Sequence, residues 1–171
     1  MVLPEIDKQV DLVSLKNAAL NLLARREHSR SELENKLILK FKQANTEADP
    51  DFRVLLQKML DQLSNLGLQD DARFAEAYVR SRLRRGFGPD RISFELRHKG
   101  VSESLADLVL KDAYSAGSIY AVWRKKFSCY PQDLKGRVKQ QQFLRYRGFT
   151  GEQIQQLFND LCDHDERVAK T

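Results

Sequence analysis

Apolar residues recur three or four positions apart along almost the whole chain, the spacing that places them on one face of a helix. No segment keeps the strict apolar and polar alternation of a half-buried strand. The pattern therefore predicts an all-α protein. The first helix carries Leu15 on its apolar stripe, and the second begins at a capping box formed by Ser29 and Glu32. A polar loop at residues 43–50 precedes a third helix around Leu56.

A second group of three helices is predicted for the middle of the chain. Glycines, a proline and short polar residues divide its apolar stripes, as expected where one helix ends and the next is capped. The residues that set these boundaries are Gly67, Asp70 or Asp71, the Gly86-Phe87-Gly88-Pro89 turn, Gly100 and Ser102.

A third group follows, with a seventh helix around Trp123 and a turn at Pro131. The next helix ends at Gly148, but its polar run at 140–142 leaves its buried face undecided. Thr150 and Gln153 form the capping box of the ninth helix.

The pattern repeats along the chain. Gly100-Val101-Ser102 and Gly148-Phe149-Thr150 are each a C-cap glycine, an apolar residue and an N-cap hydroxyl, 48 residues apart. Such repetition is typical of stacked helical modules. We expect three tandem three-helix modules forming an elongated, curved molecule. The expected boundaries are an N-terminal extension at 1–10, repeats at 11–67, 68–115 and 116–162, and an acidic C-terminal tail at 163–171, interpreted as a frayed, solvated end.

The 171 residues carry a formal net charge of +5, which favours an anionic partner. Two cysteines are too few for a disulfide framework, and neither has a zinc-binding spacing. The first ten residues resemble no signal peptide, and no apolar run is long enough to span a membrane. A cytoplasmic location is expected, with no membrane partner.

The basic residues form two candidate interfaces for nucleic acid or a protein partner. Any single arginine is more often part of a solvated face, as where Glu76 can pair with Arg80, but the clusters are more informative than their members. Exposed backbone amides at the 86–89 turn would add to anion attraction. The central candidates are Arg73, Arg80, Arg82, Arg84, Arg85 and Arg91, and the C-terminal candidates are Lys125, Lys126, Arg137, Lys139, Arg145 and Arg147.

Aromatic residues lie among the C-terminal candidates. Trp123 and Phe127 fit the core stripe of the seventh helix, whereas the roles of Tyr130 and Tyr146 stay open. If about five cations contacted phosphates, binding would depend on salt with a slope of roughly −4 to −5.

The sequence shows no group of residues with the spacing of a catalytic site. The three histidines are scattered, neither cysteine has a histidine placed to activate it, and the 86–89 turn lacks the residues of a phosphate-binding loop. We expect no catalytic residue, metal site or cofactor.

Three segments resemble the RecX family of regulatory proteins: ARREHSRSEL at 24–33, LQDDARFAEAYVRSRLRRGFGPDRISFELRHKGVS at 68–102, and FLRYRGFTGEQI at 143–154. The similarity covers most of the chain in order and spacing. It implies the same three-module fold and no catalytic residue or cofactor.

The resemblance also implies a negative regulator that binds the RecA nucleoprotein filament and inhibits its ATPase, strand exchange and coprotease activities. The expected partners are RecA and its filament, the expected state is a monomer, and direct contact with ssDNA or dsDNA is left open. Two alternatives also stay open: an independent DNA-binding protein that competes for DNA, and a purely protein-binding helical scaffold.

Overall fold

The structure, a computed structural model, describes residues 11–41, 50–114, 117–127 and 129–169, except for the side chains of 117, 118 and 163–169. The expected N-terminal extension at 1–10 and the loop residues 43–49 lie outside the described residues.

Across these ranges the chain forms nine helices and no strand, which confirms the predicted all-α class. The last helix of the described residues, Gly151–Ala169, includes residues 163–169 of the predicted acidic tail, so these residues are helical rather than frayed. The helices are α1 (Leu12–Leu23), α2 (Arg30–Phe41), α3 (Pro50–Asn65), α4 (Asp71–Arg84), α5 (Pro89–His98), α6 (Glu103–Ala113), α7 (Gly117–Lys126), α8 (Leu134–Arg147) and α9 (Gly151–Ala169).

The chain divides into two compact units. The first ends at Phe74 and also includes Lys99–Val101, and the second comprises Ala75–His98 and the chain from Ser102 onward. The first unit therefore contains α1 to α3, and the second contains α5 to α9. The boundary falls within α4, whose residues from Ala75 onward belong to the second unit. The module boundaries expected from the sequence stay predictions.

The core of the first unit forms where α1, α2 and α3 pack against one another. Their fully buried side chains lie at the positions that the helical spacing predicts, since each helix turns an apolar stripe inward. The central members are Leu15, Leu33, Leu37, Leu56, Met59 and Leu63.

Only one of the two hydrogen bonds of the predicted capping box of α2 is present. The Ser29 hydroxyl accepts a hydrogen bond from the Glu32 backbone N–H at 3.1 Å, as expected of an N-cap. The Glu32 carboxylate, however, is held by Arg26 at 2.7 Å and Lys99 at 3.5 Å. Burial alone would raise the pKa of Glu32, but the Arg26 hydrogen bond and the Lys99 charge outweigh it and lower that pKa to about 2. Charged partners have thus replaced the second half of the box.

In the second unit, α7, α8 and α9 pack pairwise around a second core. Trp123 is buried, as predicted, and its indole N–H donates to the Gln140 side-chain oxygen at 2.7 Å. Phe127 is half-buried and meets Phe143 edge to face. The buried face of α8, undecided from the sequence, is therefore the one that carries Gln140 and Leu144.

The repeat predicted from the sequence has a physical basis. Gly100 and Gly148 both have positive φ, and the apolar residue after each is buried. Thr150 and Gln153 form a reciprocal capping box: the Gln153 N–H donates to the Thr150 hydroxyl at 3.2 Å, and the Thr150 N–H donates to the Gln153 side chain at 3.0 Å. Ser102 caps α6 by accepting from the Leu105 N–H.

Candidate nucleic-acid interface

Within the second unit, the turn before α5 meets the end of α8. The Gly88 N–H donates to the Arg147 carbonyl at 2.8 Å, and the Asp90 N–H donates to the Gly148 carbonyl at 3.1 Å. A Cβ atom on Gly88 would lie 2.3 Å from that Gly148 oxygen, so only glycine fits between the two backbones. We call this contact, between residues 86–91 and 145–149, the joint.

These hydrogen bonds correct one expectation. The sequence indicated that amides in the 86–89 turn would be open to an anion. Instead, the amides of Gly86 and Phe87 donate to carbonyls at the end of α4, and that of Gly88 donates across the joint. Since protein carbonyls already use these donors, this turn offers no anion-binding cradle.

Three of the predicted binding arginines surround the ring of Phe87. The guanidinium carbons of Arg91, Arg82 and Arg147 lie 4.5, 5.1 and 5.4 Å from the ring centroid. A cation over an aromatic face is attracted by the ring's quadrupole, most strongly where water is excluded. These arginines therefore pack against the joint and stabilise it.

A single carboxylate holds two of those arginines. Glu95 lies 2.7 Å from Nε of Arg82 and 3.1 Å from Nε of Arg91, and it accepts the Tyr78 hydroxyl hydrogen bond at 2.9 Å. Burial raises the pKa of the Tyr78 hydroxyl, and the hydrogen bond to Glu95 raises the pKa of Arg91. Because the Glu95 side chain is only 17% exposed, its charge is weakly screened.

Two further arginines that were predicted to bind a partner instead pair with glutamates of this chain. Arg73 lies 3.1 Å from Glu27 and donates to the Gly67 carbonyl at 2.7 Å, so it secures the end of α3 within the first unit. Arg80 pairs with Glu76 one helical turn away at 3.4 Å, the solvated pairing anticipated from the sequence.

Beside the joint, the second unit contains a cleft of about 410 Å³, which we call the cationic cleft. It lies between the end of α4, the outer face of α7 and the second half of α8. The close approach of α7 is set by Gly86, where a Cβ atom would lie 2.8 Å from Val122. The cleft is lined by Leu83, Arg84, Arg85, Gly86, Ala121, Val122, Lys125, Lys126, Phe143 and Arg147.

Five of these lining residues are cations and none is acidic. In the part of the chain that the structure describes, no carboxylate pairs with the exposed residues Arg84, Arg85, Lys125 or Lys126. Arg147 donates to the Arg85 carbonyl at 2.8 Å, which fixes its guanidinium at the edge of the cleft. The cations at the C-terminal ends of α4 and α7 also interact favourably with the helix dipoles. This interaction occurs at any helix C-terminus, so it does not account for the cleft.

The remaining C-terminal candidates divide between two faces of α8. Lys139 is exposed and lies one helical turn before Phe143, on the same face of α8 as that cleft residue. Arg137 lies over the Phe158 ring at 5.5 Å, and Arg145 points toward the start of α9. These last two therefore lie away from the cleft.

The two tyrosines left open differ in environment. Tyr130 is half-buried against Phe158, which is a core position. Tyr146 is 75% exposed, with the Arg91 guanidinium 5.5 Å from its ring centroid. An exposed aromatic beside cations is compatible with stacking on a base.

Sequence reasoning missed Glu95, Phe87 and Gln140 as organising residues. Only Gln140 had a usable signal: a tryptophan predicted to be buried needs an acceptor for its indole N–H.

Other site classes gain no support from the described residues. Among them, no group of histidine, cysteine or acidic side chains is arranged to hold a metal ion. None of their helices combines the length and apolar character needed to cross a bilayer.

These features define a class: an all-helical protein built from three-helix domains, with a cationic cleft in its second unit. Comparison with known sequences makes the assignment specific. Residues 16–44, 70–110 and 117–158 match the domains described as RecX, first, second and third three-helix domain. The chain belongs to the RecX family of regulatory proteins, which confirms the three-domain fold.

Individual relatives agree. Regulatory protein RecX from Halorhodospira halophila is 41% identical over 157 residues, covering 90% of this chain and 92% of the relative. Regulatory protein RecX from Pseudomonas tolaasii is 39% identical, covering 89% and 96%. The crystal structure of RecX from Lactobacillus salivarius superimposes with a TM-score of 0.69 at 24% identity, over 88% of this chain and 96% of that one, which supports the fold.

Proposed function

We propose that this protein is a negative regulator of the RecA recombinase that binds the RecA filament on DNA in the cytoplasm and inhibits its ATPase, strand exchange and coprotease activities. Membership of a regulatory protein family supports a non-enzymatic role. The observation that carries the DNA part of the proposal is the cationic cleft, whose exposed cations have no carboxylate partner in the described part of the chain.

The cleft suits a nucleic-acid backbone. Guanidinium and ammonium groups that face solvent without an internal counter-ion attract phosphates and release condensed counter-ions on binding. The apolar floor formed by Leu83, Val122 and Phe143 excludes water beneath the charges and strengthens their field. We therefore assign phosphate contacts to Arg84, Arg85, Lys125, Lys126 and Lys139, while Arg73, Arg82 and Arg91 support the fold.

The test uses the double variant Lys125→Ala/Lys126→Ala in a RecA DNA-dependent ATPase assay. The unaltered protein should inhibit at substoichiometric ratios to RecA, and the variant should need roughly tenfold more protein, corresponding to about 1.4 kcal/mol. The matched control, Lys36→Ala/Lys40→Ala, removes the same charge from exposed positions on α2 and should inhibit normally. Absence of inhibition by the unaltered protein over a full concentration series contradicts the proposal.

The cationic cleft would equally suit a protein that binds DNA independently and affects RecA only by competing with it for DNA. Competition for DNA requires protein in proportion to DNA sites and is relieved by added DNA. Regulation of the filament persists at a few molecules per filament, and the protein then also binds RecA in the absence of DNA. A titration at fixed RecA and increasing DNA separates the two.

A further inference from the structure

A second concave surface lies on the other side of α7, between α7 and α9, with a volume of about 570 Å³. We call it the acidic groove. Its floor is apolar, and its α9 rim is acidic and amide-bearing. The residues that define it are Ile119 and Tyr120 from α7, and Glu152, Gln156, Leu157 and Asp160 from α9.

The rim runs along one line of α9. Glu152, Gln156 and Asp160 are spaced four residues apart, so they lie above one another over about 12 Å of helix. All three are exposed, and the Gln156 amide donates to Asp160 at 2.8 Å. In the part of the chain described, neither carboxylate is paired with a cation. Among the described residues, the groove thus presents two negative charges without a cationic partner, on a chain whose net charge is positive.

The floor supplies the apolar part of a docking surface. Ile119 and Leu157 close the base at 6% and 4% exposure, whereas the Tyr120 ring stands 49% exposed at the wall. A half-exposed tyrosine beside an apolar floor and a charged rim is the composition of a protein-binding groove. Nucleic acid is disfavoured here, because its phosphates would face the two carboxylates.

We propose that the acidic groove binds a basic amphipathic helix of the protein component of the filament, an inference that rests on the proposed function. Apolar side chains at i, i+4 and i+7 of such a helix span about 10 Å, which matches the length of the rim, and flanking lysine or arginine residues would pair with Glu152 and Asp160. The two faces beside α7 thereby divide the target: the cationic cleft contacts DNA and the acidic groove contacts protein.

The experiment measures binding of the full-length chain to RecA without DNA and, separately, to duplex DNA without RecA. The variant Glu152→Lys/Asp160→Lys reverses the rim charge at exposed positions, so the helical circular dichroism should be unchanged. It should weaken binding to RecA at least tenfold while duplex DNA binding is retained or strengthened. The cleft variant Lys125→Ala/Lys126→Ala should show the reverse pattern.

Three outcomes overturn the inference. The first is a rim variant that binds DNA-free RecA as tightly as the unaltered protein does. If that variant still inhibits the RecA ATPase, the proposed function is unaffected. A rim variant that changes the sedimentation of the isolated protein would identify the groove as an interface between copies of this chain. Loss of duplex DNA binding in the rim variant would place nucleic acid there instead. Failure of the unaltered protein to inhibit RecA would count against the proposed function itself.

Discussion

The joint and the cationic cleft lie side by side in the second unit and draw on the same run of arginines, yet their charges are used differently. Against the joint, Arg82 and Arg91 share the Glu95 carboxylate and pack on the ring of Phe87. In the cleft, Arg84 and Arg85 face solvent without a carboxylate partner among the described residues. The difference shows that the role of an arginine here depends on which acceptors lie within reach.

This comparison predicts two distinct consequences of mutation. Substitutions at the joint should lower the free energy of unfolding. The affinity of the molecules that remain folded should stay unchanged. Changes in the cleft should lower affinity and leave stability intact, because exposed like charges without partners contribute little to folding or oppose it.

The largest effect is expected from Gly88→Ala. The added Cβ atom would meet the Gly148 carbonyl oxygen at 2.3 Å and the Phe149 nitrogen at 2.6 Å, and both are backbone atoms that cannot move aside without breaking the joint. We expect a loss of about 3 kcal/mol or more in the free energy of unfolding, measured by urea denaturation.

Gly151→Ala is the matched control for that substitution. Gly151 begins α9, and only the flexible end of Arg145, at 3.7 Å, lies near its missing Cβ. Alanine there should be neutral or stabilise the protein by up to about 1 kcal/mol. Equal effects at the two glycines would contradict the close backbone approach assigned to the joint.

A smaller loss is expected from Glu95→Gln. The substitution preserves shape but leaves Arg82 and Arg91 without a counter-charge in a half-buried site, so the free energy of unfolding should fall by about 2 kcal/mol. DNA affinity should not fall. In the control Glu76→Gln, the exposed pairing with Arg80 is lost, and stability should change by no more than a few tenths of a kcal/mol.

The features that could be predicted from the sequence are local ones. Helical periodicity, positive-φ glycines such as Gly100 and Gly148, and the Thr150 capping box depend on neighbours within a few positions. The selection among arginines depends on contacts between distant residues: Arg91 donates to the carbonyl of Tyr146, 55 positions away. Charge density along the chain identified the basic segments but not which members had internal partners.

The capping box at Ser29 illustrates the same limit. Its sequence signature is complete, but Lys99, distant in sequence, takes part in holding the Glu32 carboxylate that would have closed it. Local propensity predicted the start of α2 correctly, and tertiary charge placement decided the side-chain geometry.

The most direct test of the division between joint and cleft is the salt dependence of duplex DNA binding, measured as the slope of log K against log salt concentration. Removing two phosphate contacts should reduce the magnitude of the slope by about 2, at roughly 0.9 per contact. Lys125→Ala/Lys126→Ala should show this reduction, and Glu95→Gln should keep the slope of the unaltered protein. An unchanged slope in the cleft variant, or an equal change in both, would contradict the assignment of DNA contact to the cationic cleft.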